Sequence, residues 1–97
     1  DWAKVRYMPP WIDTLGLLCA AHGDGHDADG RFWSHPTARD VSGDELDAAL
    51  AGLTGALLLG WPHAPRRIVS PAIKDHMRWV GLATADWLAE RRGWRTY

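Results

Sequence analysis

The sequence predicts a single α+β domain, a winged helix-turn-helix over residues 1–70 followed by a C-terminal extension helix over 71–93. Three observations predict it. Ser42 and Glu45 stand three apart, the spacing of a capping box in which hydroxyl and carboxylate each satisfy an N–H that a helix start leaves unpaired. Val41 and Leu46 are placed to staple the incoming chain to the first turn. Leu46, Leu50, Leu53 and Leu57 then recur at i, i+4, i+7 and i+11, so one helix face is aliphatic. After it, Leu57-Leu58-Leu59 runs into the Pro-rich stretch from Gly60 to Pro65, and Arg66-Arg67-Ile68-Val69-Ser70 follows. That pattern reads as two short strands joined by a turn. A capped helix feeding a hairpin is the second half of a winged helix.

The remaining elements follow in chain order. Asp1 to Met8, where Trp2, Val5 and Tyr7 alternate with Lys4 and Arg6, predicts a short strand or an arm laid over the core. Pro9-Pro10 ends it and suits a helix start, where a missing N–H does no harm. Trp11, Leu15, Leu18, Cys19 and His22 give a first amphipathic helix, closed by Gly23. His22 to Gly30 is rich in Gly and Asp and reads as a loop, and Arg31-Phe32-Trp33 as a small strand pairing with the hairpin. Ser34 can cap a short helix from Pro36 to Arg39. Beyond the hairpin, Ser70-Pro71 begins the last helix, along which Ile73, Met77, Val80, Thr84, Trp87 and Leu88 form the apolar stripe. Gly81 interrupts that stripe at a cost of about 1 kcal/mol relative to Ala, unless something packs closely against it.

Composition bounds the function. The chain has 97 residues, enough for one core and not for two, and 46% of them are hydrophobic. Seven are Trp, able to supply much of a core or to anchor a partner. A single cysteine, Cys19, excludes an internal disulfide, and no apolar run is long enough to cross a bilayer. A cytoplasmic protein is the expectation. Net charge is −1 but unevenly spread. From Asp1 to Pro65 four basic residues face nine acidic ones, whereas from Arg66 to Tyr97 seven basic residues face three. A basic contact surface on the C-terminal third follows as an expectation.

In this order of elements the chain resembles the N-terminal winged-helix domains of phage and mobile-element replication proteins, the replisome-organiser or DnaD-like group. The likeness covers roughly Trp2 to Ile73. It is carried by a Trp-containing N-terminal stretch, by Asp29-Gly30-Arg31-Phe32 ahead of the helix-turn-helix, and by Leu53-Thr54-Gly55-Ala56-Leu57-Leu58-Leu59-Gly60, similar though offset. The resemblance implies non-catalytic binding of double-stranded DNA in replication or transcription regulation, with the capped helix in the major groove and the wing on a flanking one. Yet from Ser42 to Gly60 there is no Lys, Arg, Asn or Gln, the types that meet base edges and phosphates. Contacts therefore fall to Arg39, to His63, Arg66 and Arg67 of the wing, and to Arg91, Arg92 and Arg95 of the tail. The competing expectation is a protein-interaction module, either a homodimer through the last helix or a dock for a replication or transcription protein. Trp79 and Trp87 are its candidate anchors.

Other chemistries find less support. Cys19, His22, His26 and His35 supply zinc-ligand types, but their spacing matches no finger and the first two belong to a helix's apolar stripe. Asp27-x-Asp29-Gly30 fails the calcium-loop pattern, because its first ligand position is Gly25 and its twelfth Pro36. No Gly-rich phosphate loop and no oriented nucleophile is apparent. The expectation is a protein without catalysis, cofactor, metal or small-molecule substrate.

Overall fold

The computed structural model describes residues 9–63, 65 and 70–94, and among them every regular element is helical. Helix α1 spans Pro10–Gly23, α2 Ala28–Ser34, α3 Gly43–Gly55 and α4 Pro71–Arg92. A 3-10 turn at Pro36–Ala38 lies between α2 and α3. After α3 the chain continues as a π-helical turn over Ala56–Gly60 and a 3-10 turn over Trp61–His63. No helix among the described residues is long and apolar enough to cross a membrane.

The signals at Ser42 and Ser70 correspond to the helix starts that form, whereas Ser34, expected to cap the turn at Pro36, ends α2 and His35 caps that turn instead. Ser42 Oγ accepts the Glu45 N–H at 3.0 Å, and Glu45 Oε1 accepts the Ser42 N–H at 3.0 Å, so the capping box opens α3. Ser70 Oγ accepts the Ile73 N–H and Pro71 takes the first position of α4. Gly93, at φ 67°, supplies the left-handed residue that ends it.

The α+β winged helix is not what forms. Leu57-Leu58-Leu59, expected as the first strand of a hairpin, prolongs α3 as helix. Two causes act together. Ala and Leu favour helix, and Thr54 is the only β-branched residue from Ser42 to Gly60, so nothing in the backbone preference of this stretch demands extension. The helical course also brings Leu57 and Leu58 together over Gly81, where a strand would send them to opposite faces. Arg66 to Val69, the expected second strand, and Asp1 to Met8, the expected arm, lie outside the described residues. Arg31-Phe32-Trp33 is likewise helix, not strand. Asp27 caps α2 by accepting the Gly30 N–H at 3.0 Å, and the Ser34 hydroxyl donates back to the Gly30 carbonyl.

Four helices share one core. Leu15 and Cys19 of α1, Ala28 and Phe32 of α2, Ala38, Leu46 and Leu50 of α3, and Trp87 and Leu88 of α4 are buried together. Trp11, Val41, Leu53 and Val80 close its margins. α4 is the common wall, packing against both α1 and α3. Its stripe is buried mainly in the second half, since Thr84, Trp87 and Leu88 are enclosed while Ile73 is 49% exposed.

Candidate functional site

Two candidate features lie on α4, both bordering the end of α1. They are set by how α4 is held. Near its end, Arg91 donates from Nε to Asp47 Oδ1 at 2.6 Å and from Nη1 to Asp29 Oδ1 at 2.7 Å. The same Asp29 oxygen accepts the Trp87 indole N–H at 3.0 Å. Arg91 also lies over the Trp33 ring, 5.6 Å from its centroid, and Arg92 reaches the other Asp47 oxygen at 3.3 Å. Burial opposes the Arg91 charge, but the hydrogen bonds and charges of Asp47 and Asp29 outweigh it and raise its pKa further. This hub ties α2, α3 and α4 together.

The first feature is a cleft between the C-terminal end of α1 and α4. His22, in the last turn of α1, places Nε2 2.8 Å from Asp86 Oδ2 and 3.9 Å from Glu90 Oε2. Asp86 and Glu90 are one helical turn apart, so both carboxylates rise from one face of α4. The imidazole stacks on Trp87 at a centroid distance of 5.9 Å and a tilt of 17°, which fixes its plane. His26, Asp27 and Asp29 complete the walls of a cleft of about 450 Å³.

The second feature is the outward face of α4. Leu82 is 50% and Trp79 41% exposed on it. Trp79 stacks beside His76 and crosses the end of α1, where a Cβ on Gly23 would come within 2.9 Å of Ala83 Cβ and closer still to the Trp79 ring. Arg78 stands four residues before Leu82 and Asp86 four after it, both exposed.

Among the described residues, those expected to contact DNA do not form one surface. Arg66, Arg67 and Arg95 lie outside the described residues. Arg39 and His63 are exposed, on separate turns before and after α3. Arg92 is half-exposed, paired with Asp47 and set against the Trp94 ring at 5.7 Å. Arg91 faces inward, its side chain only 16% exposed, because two carboxylates claim its guanidinium. Of the two expected anchors, Trp79 is on the surface. Trp87 is 1% exposed and is a core residue, turned inward by Asp29 and covered by His22.

The cysteine–histidine set does not converge. Cys19 is enclosed in the core, where burial pushes its thiol pKa up and a hydrogen bond with Thr84 only partly offsets that. His35 turns its Nδ1 to Thr37, accepting that residue's N–H at 3.2 Å. The sequence does not show the His22, Asp86 and Glu90 grouping, because His22 and Asp86 stand 64 positions apart. Only the Asp86 and Glu90 spacing was visible as a signal, and i, i+4 acids are common on helices. No protein-family model, no curated protein and no solved structure matches the chain.

Proposed function

We propose that this domain is a non-catalytic protein-interaction module that associates with a second copy of itself through the outward face of α4. The observation that carries the reading is the self-complementary order Arg78, Leu82, Asp86 along that face. A two-fold axis through Leu82 that sets two α4 helices antiparallel brings Leu82 against its own copy. It also brings Arg78 beside Asp86 of the second copy, twice over, where it would join the His22 that the Asp86 carboxylate already holds. Such an isologous contact closes on itself and stops at a dimer. Trp79 flanks the centre with a large ring already ordered against Gly23, the type of side chain that contributes most at interfaces.

Charge supports the same reading over nucleic acid. The exposed acids Asp40, Asp44 and Glu45 crowd the start of α3, where they suit the helix dipole and oppose a phosphate backbone. Arg91, one of the tail arginines expected to reach DNA, is bound to carboxylates of its own chain.

Light scattering or sedimentation equilibrium tests the proposal. The intact chain is expected at twice its 10.8 kDa mass, with little dependence on salt because the centre of the contact is apolar. Leu82→Glu and Arg78→Glu, both at exposed positions, are expected to give folded monomers. A wild-type chain that stays monomeric would overturn the proposal. If it also bound duplex DNA with an affinity falling steeply with salt, a DNA-binding module would take its place.

A further inference from the structure

We infer that the cleft between α1 and α4 is a binding site for one first-row divalent transition-metal ion, Zn2+ above all, held by His22 Nε2 and by the carboxylates of Asp86 and Glu90. The three donor atoms lie within 4.8 Å of one another. Ligand bonds of about 2.0 Å in tetrahedral array put donors about 3.3 Å apart, between the 2.8 Å and 3.9 Å that separate His22 Nε2 from the two carboxylates. Those two approaches need shifts of about half an ångström, and the two carboxylate oxygens, which lie within 4.8 Å of each other, close on one ion by side-chain rotation. The ion would displace any proton shared between imidazole and carboxylate, which leaves for solvent.

The composition of the set selects the ion. One imidazole with two carboxylates suits Zn2+ and its neighbours, whereas Ca2+ and Mg2+ take oxygen donors and gain little from the nitrogen. The site is also ordered in advance. His22 is 11% exposed and stacked on Trp87, which is itself anchored to Asp29, so the ring loses little freedom on binding. Three protein ligands leave a fourth position for water or another ligand, and the cleft that His22, Asp86 and Glu90 line is shared with His26, Asp27 and Asp29.

Isothermal titration of the chelator-treated chain with ZnCl2 tests the inference. One saturable equivalent is expected for the wild type. His22→Gln and Glu90→Gln should each weaken it by at least about tenfold, since losing even an outer-shell partner of a metal costs that much. Asp86 is left intact because it belongs to the α4 association face, and the mass of each variant separates failure of this site from failure of the dimer. Circular dichroism establishes that each variant is folded. Co2+ in place of zinc should show d–d bands without a thiolate charge-transfer band. No saturable heat, undiminished affinity in both variants, or a thiolate band implicating Cys19 would each overturn the site.

Discussion

Arg91 shows how far a residue's role depends on partners that a linear reading does not bring near. Next to Arg92 and Arg95 it reads as part of a basic tail, yet its carboxylates sit 44 and 62 positions away. Asp47 is 15% exposed and Asp29 41%, so the Asp47 arm is the less screened of the two. Arg91→Ala should cost roughly 2–3 kcal/mol, the scale of charge-assisted hydrogen bonds whose acceptor is left partly buried. Urea denaturation followed by circular dichroism reads that loss directly. Arg39→Ala, at an exposed turn, should change stability by no more than about 0.5 kcal/mol. Cys19 gives the corresponding statement for pH. Its folded-state pKa is raised by burial, so the unfolded chain releases the thiol proton first as the medium becomes alkaline. The stability that this difference contributes is complete below the unfolded value, about 8.5, and is lost as pH rises through the folded one. A Cys19→Ala variant should therefore lose stability less steeply above about pH 9 than the wild type, whatever its stability at neutral pH.

The elements divide into those with a punctuated start and those without one. Where a capping hydroxyl or carboxyl group and its spacing specify a helix, as at Ser42 and at Ser70-Pro71, the sequence is legible to the residue. Where propensity is neutral, packing decides. Leu57-Leu58-Leu59 satisfies an apolar strand as readily as a helix, and it is the bare backbone of Gly81 on α4 that admits its two leucines. Asp27 carried a cap that the surrounding glycines disguised as loop. Glycine substitutions separate these effects. A Cβ at Gly81 would stand 2.7 Å from Leu58 Cδ2 and 2.9 Å from Leu57 Cβ. Gly81→Ala should consequently destabilise by about 1–3 kcal/mol, overpacking outweighing the helix propensity gained. Gly52, in α3, has nothing within 4 Å of the same position. Gly52→Ala should stabilise by up to about 1 kcal/mol. If both variants moved in the same direction, the packing of Leu57 and Leu58 over α4 would not be what holds the end of α3.

At the scale of the molecule, the described residues form a slab of 41 × 39 × 19 Å, about two helices thick. So thin a body has little interior for its length, and it leaves Leu17, Leu59, Ile73, Trp79 and Leu82 among its exposed large apolar side chains. The candidate cleft could not be read from the sequence because it depends on how α4 is rotated, whereas the proposed association face is legible in part, through Trp79 on the last helix, with Trp87 belonging instead to the core. That rotation is fixed by Trp87, Gly81 and Arg91 acting on three different neighbours. It turns Trp87 inward and presents Leu82 outward. Covering Leu82 and Trp79 in a dimer couples folding to concentration, because a contact made only by the folded chain stabilises it by mass action. The thermal midpoint of the wild type should rise steadily with protein concentration. That of Leu82→Glu should not, and at high dilution the two should converge, since the substitution lies on a surface that the monomer exposes. A wild-type midpoint independent of concentration, together with a Leu82→Glu midpoint already lowered at high dilution, would instead place Leu82 in the fold of the monomer.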